Sequence, residues 1–477
     1  MLALLPLIAI FVFLFLLKQS PVRTGIFTYC LAIGIVVFSS AYALPVTGIM
    51  HATVKGALFT LIVAYVVFFG VLLFEIMERS GNLRKLAEIL TASSQSKMTQ
   101  MIILVTGISP LIESTSGFGT AFLVVAPILS ALGFSKSKAA MLGLVSLMAV
   151  PWGALATGTF IGAKLGHLPL ERLGVGSALL SLPVFVYFLT VAVWIAGGRQ
   201  AVNQHWQKIA LFSVIFGGSI VFFNRYVSVE LAGALSALIT TCLGLFFLKA
   251  NRSLLQVMSP YFFLTGTIVC TRLFDPIKKF LQSYAAIHLP NYDFAFAPLY
   301  APGFWLFLTC AGSIVFFKLN RKDMRAAVIA SFQKWRPFTI ATIAFVSMAE
   351  VMTAAGMTRS IAEATATLFG PAYLLVAPFV AGLGGFLTAS NTSANAIFMP
   401  FQVQTAKHVH IPPELLASVQ NTGASHATMS SPSRILLAQS VCGLESSSNH
   451  LLLRMIGITA GALILIAASA ACWFWVL

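Results

Sequence analysis

The feature that most constrains this chain is a series of apolar runs, many about 20 residues long, that recurs along the whole sequence. Of its 477 residues, 58% are hydrophobic and 9% are charged, whereas an ordinary soluble domain has about 45–50% and about 25%. A helix satisfies its own backbone hydrogen bonds in lipid. We therefore predict an all-α polytopic membrane protein.

Several apolar runs are shortened or interrupted by Gly, Pro and Ser. We expect about 11–14 transmembrane helices, together with broken helices and re-entrant hairpins. The first run, 2–17, has no basic region before it and no small-residue cleavage site after it. It is therefore expected to be a span and not a removable signal peptide. The amphipathic piece 276–293 is expected to be an interfacial loop.

The net charge of +16 does not indicate nucleic-acid binding, because the basic residues lie between apolar runs. Cytoplasmic loops collect Lys and Arg, and three loops do so here: Lys18 and Arg23; Arg79, Arg84, Lys85 and Lys97; Lys318, Arg321, Lys322, Arg325, Lys334 and Arg336. This distribution predicts an N-terminus outside. The six cysteines are scattered without a CxxC pair, so neither a disulfide framework nor a metal site is expected.

Two stretches of the chain align at a nearly constant offset. FEIMERSGNLRKLAE matches AEVMTAAGMTRSIAE, pairing Glu75 with Glu350 and Gly81 with Gly356 at an offset of 275 residues. We predict N-terminal scaffold helices over 1–45, repeat 1 over 46–200, linking and scaffold helices over 201–319, and repeat 2 over 320–477. The loop charges place the two repeats in opposite orientations, an arrangement common in secondary transporters.

The most polar intramembrane passages occupy corresponding parts of the repeats. In lipid, such a break persists only where protein or a water-filled cavity satisfies its backbone groups. Ser116 or Thr120, and Asn391 or Thr392, are suitable N-caps, and two half-helix N-termini would attract a carboxylate. The alternative is helix packing through small residues. The candidate substrate-binding residues are Ser114, Thr115, Ser116, Gly117, Gly119 and Thr120 in the first break, and Ser390, Asn391, Thr392, Ser393 and Asn395 in the second.

A third polar break adds Asn421, Thr422 and Arg434 to the candidate substrate site. Arg434 either pairs with a substrate carboxylate through its planar fork or extends to the membrane interface. The counterpart of this third break in repeat 1 is the passage 151–157, which is either part of the site or a packed kink. These alternatives remain open from the sequence.

Ionisable residues inside a membrane are costly and therefore candidates for function. Glu113 either carries a coupling proton or caps the turn that follows it. His426 either relays a proton or is a satisfied core histidine. For Glu75 and Glu350, structural ion pairing or interfacial exposure is favoured, with Arg79 as a partner for Glu75. The HExxH and GxSxG motifs and paired catalytic aspartates are absent, which argues against an enzyme, and a channel is the other alternative.

These segments together resemble the lactate permease family. The resemblance rests on IESTSGFGT with the following apolar run, AGMTRSIA, FLTASNTSANAIF and QNTGASHATMSSP, in that order. It implies proton symport of small 2-hydroxymonocarboxylates such as L-lactate and glycolate in the cell inner membrane. It also implies kinship with the wider ion-transporter superfamily, in which Ser-Asn-Thr tips bind sodium and carboxylates and a domain moves as an elevator.

The chain departs from the family pattern at two positions. Asn391 stands where the family has Asp, and Thr428 stands where it has Lys. No cofactor is expected beyond a coupling ion, which is H⁺ or, alternatively, Na⁺. The expected partners are a small carboxylate and the lipid bilayer, with no nucleic acid, and a homo-oligomer stays open.

Overall fold

The computed structural model describes residues 2–92, 96–248, 252–445 and 449–476. Within them the chain is almost entirely helical, as predicted. Helices α1 to α9 are Leu5–Phe11, Pro21–Phe38, Val46–Arg79, Asn82–Thr91, Lys97–Ile103, Ser109–Ser116, Thr120–Ala131, Lys136–Val145 and Gly153–Gly166. Helices α10 to α15 are Leu170–Tyr226, Val229–Leu248, Arg252–Leu273, Asp275–Ser283, Pro302–Phe316 and Arg321–Ala354. Helices α16 to α21 are Met357–Phe369, Tyr373–Thr388, Asn391–His408, Pro413–Ala427, Pro432–Cys442 and His450–Val476.

A small antiparallel sheet corrects the all-α expectation. Strands β1 (Ile287–Leu289) and β2 (Phe294–Phe296) pair with Ile287 opposite Phe296. They follow the amphipathic helix α13. Strand β1 lies in the piece 276–293 that the sequence predicts to be an interfacial loop, and β2 begins directly after it. His51, near the start of α3, stacks on Tyr292 at 4.8 Å between ring centroids and fixes this hairpin against α3.

Seven helices of the described ranges are long and apolar enough to cross a membrane, and the bent pair α8–α9 makes up to eight. One of the seven, α10, is interrupted at Gly198, whose φ of 74° and ψ of −169° are not helical. Its ends meet, because Arg225 lies 2.7 Å from Glu171, so the chain doubles back within it. Apolar side chains such as Val214 remain exposed on the helix surfaces, as expected for residues that face lipid. The protein is a multi-pass membrane protein.

The stretches 46–200 and 320–477 contain the same order of elements. Each begins with a 34-residue helix, α3 or α15, followed by a left-handed glycine (Gly81 with φ 72° or Gly356 with φ 77°) and a short amphipathic helix. A hairpin of two helices, a helix broken in its middle, and a final long helix follow in both. The proposed repeats therefore share an element order, and their common origin stays a prediction.

The first helices of these two stretches, α3 and α15, pack side by side in opposite directions. Glu75 near the end of α3 lies 2.6 Å from Lys334 in the first half of α15, and Lys55 in the first half of α3 lies 3.1 Å from Glu350 near the end of α15. Glu75 also pairs with Arg79 at 3.4 Å. The expectation of structural ion pairing for Glu75 and Glu350 is confirmed.

Candidate functional site

Hairpin 1, formed by residues 97–131, turns at three consecutive left-handed residues. Gly117, Phe118 and Gly119 have φ values of 68°, 60° and 72°. Glycine adopts this region without strain, so the GFG sequence allows α6 to end and α7 to begin within a few residues. The predicted N-cap, Ser116 or Thr120, is wrong, because Gly119 holds that position. We call residues 116–120 tip 1.

Glu113 lies on the last turn of α6 and is buried. Its Oε1 accepts a hydrogen bond of 3.1 Å from the backbone N–H of Gly119, so the carboxylate caps the turn, one of its two predicted roles. The other oxygen, Oε2, has no hydrogen-bond partner among the described residues, and Glu113 lines a cavity. Oε1 is therefore structural, and Oε2 is a buried acceptor without a hydrogen-bond partner among the described residues.

Hairpin 2, formed by residues 373–408, turns at Ala389, which has a φ of 56°. Ser390 then caps α18 by accepting a 3.2 Å hydrogen bond from the backbone N–H of Ser393. The predicted N-cap, Asn391 or Thr392, is thus wrong by one or two positions. The first turn of the 18-residue α18 carries unpaired N–H groups and the positive end of the helix dipole. We call residues 388–393 tip 2.

Three buried amide side chains tie tip 2 to α19. The Oδ1 of Asn421 accepts hydrogen bonds from Nδ2 of Asn391 at 2.9 Å and from Nδ2 of Asn395 at 2.8 Å. The Nδ2 of Asn421 donates to Ser177 and Thr159. The Oδ1 of Asn391 has no partner within the described ranges. The Oδ1 of Asn391 is therefore a buried acceptor without a partner in the described ranges, and the hydrogen bond to Asn421 orients the Asn391 side chain.

The break at the start of α9 separates the two tips. Ala154, Leu155 and Ala156 have φ values of 39°, 52° and 64°, a conformation that costs about 1–2 kcal/mol for each residue with a Cβ. A Cβ added to Gly117 of tip 1 would lie 2.9 Å from the Cβ of Ala154, and one added to Gly158 would lie 2.5 Å from Nδ2 of Asn391 in tip 2. Backbone strain of this kind concentrates at functional sites.

Arg434, at the start of α20, lies between the same two tips. Its Nη2 donates to the carbonyl oxygen of Ala389 at 3.4 Å, and a Cβ added to Gly119 would lie 3.5 Å from its Cζ. The guanidinium is buried and is attracted electrostatically to Glu113. Its Nη1 has no hydrogen-bond partner in the part of the chain that the structure describes. Arg434 therefore does not extend to the membrane interface.

The cavity has a volume of about 520 Å³ and is enclosed by two walls. One wall consists of tip 1, tip 2, the break before Gly158 and the start of α20. The other consists of the start of α2 and parts of α3 and α15, including Phe338, whose ring lies 4.9 Å from that of Phe118. Among the described residues, three charged side chains line it, namely Glu113, Arg434 and Lys334.

The structure brings about half of the predicted site residues to this cavity. Those that line it are Glu113, Gly117, Ser390, Asn391, Thr392, Ser393 and Arg434. Three more do not line the cavity but hydrogen-bond to residues that do: Gly119 to Glu113, Asn395 to Gly158, and Asn421 to Asn391. Ser114 is buried against Gly233 of α11, and Thr115 and Thr120 bond to nearby backbone carbonyls. Ser116 is buried as well.

Two residues of the third break lie away from the cavity. His426 is enclosed by the rings of Phe185 and Phe188 at 6.1 and 5.3 Å between centroids, and its Nε2 lies 3.3 Å from Oγ of Ser181. Thr422 bonds to the carbonyl of Ser177. His426 is therefore a buried core histidine away from the cavity, but it is not fully satisfied, because its Nδ1 has no hydrogen-bond partner among the described residues.

Sequence reasoning missed the cavity wall built by α2 and α15. The sequence predicts a basic loop at Lys334 and places 20–22 in the first loop, and no local pattern distinguishes these residues from ordinary loop residues. Phe118 lies inside the first polar break and is not among the predicted site residues. The passage 151–157 had a usable signal, because it matched the third break at the repeat offset.

The family of the chain follows from its similarity to known proteins. The model of the L-lactate permease family matches residues 1–254 and 290–476. The chain belongs to the L-lactate permease family. The L-lactate permease of Escherichia coli K12 is 24% identical over 94% of this chain and 91% of its own length. The glycolate permease GlcA of the same strain is also 24% identical, over the same shares.

A solved structure shares the fold of this permease-family chain. MtrF of Neisseria gonorrhoeae, described as illuminating a class of antimetabolite efflux pumps, aligns over 96% of both chains with a TM-score of 0.52 and 14% sequence identity. At this identity the likeness concerns the fold alone. Membership of a permease family indicates a transporter and not an enzyme.

Proposed function

We propose that this permease carries small 2-hydroxymonocarboxylates such as L-lactate and glycolate in symport with protons. The observation that carries the proposal is Arg434, a buried guanidinium that lies between two hairpin tips and lines the cavity, and whose Nη1 has no hydrogen-bond partner among the described residues. A planar guanidinium recognises a carboxylate by paired hydrogen bonds. The relatives named as lactate and glycolate permeases support the same substrate class.

The second hairpin supplies the remaining contacts in this proposal. The N-terminus of α18 presents backbone N–H groups to the carboxylate, and Oδ1 of Asn391, which lacks a partner among the described residues, accepts a hydrogen bond from the 2-hydroxyl. The departure from the family pattern at position 391 fits this role. A neutral amide there leaves Arg434 without a competing negative charge on tip 2.

Proton coupling follows from the charges on the tip-bearing wall. The empty site contains Arg434 and an ionised Glu113, with a net charge of zero. A bound carboxylate makes it negative, and a proton on Glu113 restores neutrality. Because a net charge is expensive to carry through the membrane, the substrate and one proton cross together, and the empty site returns without a proton.

Sodium coupling is the alternative, because tip 2 carries the Ser390-Asn391-Thr392 sequence. Sodium needs several oxygen ligands, yet Oδ1 of Asn421 is already occupied by two amide donors. The free oxygen of Asn391 is one ligand only. The proposal therefore favours the proton.

In the proposed transport cycle, the tip-bearing wall moves as an elevator past the scaffold helices α2, α3 and α15. The opposite directions of α3 and α15 support inverted repeats, which allow two related conformations that open to opposite sides. Loop charges orient the chain with its N-terminus outside, in the cell inner membrane. The cavity then opens toward the cytoplasmic side, where Lys334 lies.

Reconstitution in liposomes tests the proposal. Labelled L-lactate uptake is measured under an inward proton gradient and then under an inward sodium gradient, at matched membrane potential, with Arg434→Gln as the inactive control. Accumulation against the lactate gradient with protons alone is the expected result. Accumulation only with sodium would show that sodium, and not the proton, is the coupling ion. Flux that depends on neither gradient would indicate a channel. No uptake of L-lactate would overturn the substrate class.

A further inference from the structure

Three charged side chains, Glu75, Arg79 and Lys334, form a cluster that adjoins the cavity through Lys334, which lines it, and we call it the mouth cluster. Glu75 Oε1 is 2.6 Å from Lys334 Nζ, and Glu75 Oε2 is 3.4 Å from Arg79 Nη2. The carboxylate is 4% exposed, whereas the Lys334 side chain is 41% exposed and lines the cavity. One anion between two cations leaves the mouth with a net positive charge.

The other ion pair between α3 and α15 is different. Lys55 and Glu350 form a balanced pair whose side chains are 13% and 9% exposed, and neither lines the cavity. Holding the two helices together therefore requires neither the additional cation nor the exposed ammonium of the mouth cluster.

We propose that Lys334 is an entry site for substrate that arrives from the cytoplasmic side, where it binds the substrate's carboxylate before it reaches Arg434. This inference rests on the proposed function and adds a second anion-binding residue, on the scaffold wall opposite Arg434. An ammonium has three donor hydrogens, so Lys334 can hold Glu75 and a carboxylate together or exchange one for the other. During that exchange Arg79 keeps Glu75 paired, which avoids the cost of an isolated buried carboxylate.

The position of Lys334 on α15 has a mechanistic consequence. Arg434 lies on the wall that carries both tips and Lys334 on the scaffold, so only Arg434 accompanies the substrate when the walls move. Lys334 is left behind, and the charge balance of the moving site does not include it. Lys334 therefore affects the capture of substrate and not proton coupling.

The test measures L-lactate uptake at low and high ionic strength by proteoliposomes in which the cytoplasmic side of the protein faces the medium. At low salt Lys334→Gln is expected to lower kcat/KM about fivefold, mainly through KM, because a cation at a binding site accelerates the encounter with an anion. The kcat/KM of Lys334→Gln depends less on salt concentration than that of the wild type. Lys334→Arg retains most of the wild-type kcat/KM, and the accumulation driven by the proton gradient is unchanged in both variants.

Glu75→Gln separates this role from a structural one. The substitution also breaks the interhelical pair, but it frees Lys334 and makes the mouth more positive, so kcat/KM stays at the wild-type value or rises. An equal loss in Lys334→Gln and Glu75→Gln would show that the pair only holds α3 to α15 and would overturn the inference. Wild-type kcat/KM in Lys334→Gln would do the same. If the wild type itself carries no L-lactate, the proposed function fails, and this inference fails with it.

Discussion

Hairpin 1 ends in a glycine turn beside a buried carboxylate, whereas hairpin 2 ends in a serine-capped helix held by amides. Beside tip 1 the charged side chain that lines the cavity is that of Glu113, and Ser114 and Ser116 are buried and do not line it. At tip 2 the groups that face the cavity are neutral, including Ser390 and Asn391. The two hairpins have the same place in the element order but present different chemistry.

This difference indicates how the two tips divide the work. A titratable group at tip 1 can change charge during transport, while the neutral dipoles of tip 2 can recognise a substrate without adding charge. Arg434 contacts both tips through Gly119 and Ala389. It is therefore placed to couple the protonation of one tip to the occupancy of the other.

The largest effect is expected for Arg434→Gln. Removing a buried cation from its anionic ligand costs about 2–5 kcal/mol, so the affinity for L-lactate should fall about 30-fold or more. Binding of labelled L-lactate to the purified variant measures the loss. Arg434→Lys, which keeps the charge and loses the planar fork, should retain an intermediate affinity. Wild-type affinity in a folded Arg434→Gln variant would remove Arg434 from the site.

Glu113→Gln is expected to separate exchange from net transport. The amide cannot ionise, so the empty site keeps the uncompensated charge of Arg434 and returns slowly through the membrane. Exchange of labelled for unlabelled L-lactate should continue, because the loaded site is neutral. One-to-one symport raises the ratio of internal to external L-lactate about tenfold for each unit of pH difference. In Glu113→Gln this ratio should fall to nearly its value without a proton gradient.

The matched control for that variant is Glu88→Gln, which neutralises an exposed glutamate on α4 and should leave both activities unchanged. Full accumulation by Glu113→Gln under a proton gradient would contradict the assignment of the coupling proton. It would show that a group other than Glu113 carries the coupling proton.

A smaller effect is expected for Asn391→Ala. It removes the proposed acceptor for the 2-hydroxyl, and one hydrogen bond contributes about 1 kcal/mol. The ratio of uptake rates for L-lactate and propionate should therefore fall about fivefold. Asn395→Ala belongs to the same amide cluster but does not line the cavity. It should lower thermal stability and keep the ratio, and an equal loss of selectivity in both variants would contradict the role of Asn391.

The sequence predicted the broken elements well because their causes are local. Gly81 and Gly356 were aligned at the repeat offset, and both adopt the left-handed conformation before a short helix. Polar residues within apolar runs likewise predict the positions of both tips. The N-caps were misplaced, because capping depends on the backbone angles of Gly119 and Ser390, which residue type alone does not determine.

The parts that the sequence could not predict depend on tertiary packing. Lys334 belongs to a run of basic residues that indicates a loop, and only the packing of α15 on α3 places it at the cavity. His426 is a candidate proton relay from the sequence because imidazole titrates near neutral pH, yet Phe185 and Phe188 enclose it. Which face of a helix meets a cavity cannot be read from its composition.

The smallest effects test the backbone difference between the tips through paired substitutions. Gly119 has a φ of 72°, so Gly119→Ala should destabilise the protein by about 1 kcal/mol. Ala389 in tip 2 has a φ of 56°, so Ala389→Gly relieves a similar strain, offset in part by the greater entropy of the unfolded chain. Thermal unfolding in detergent should show a lower Tm for the first variant and an equal or slightly higher Tm for the second. An equal decrease in Tm in both variants would mean that the two tips do not differ in backbone strain. The glycines of tip 1 would then be needed for the close approach of Arg434.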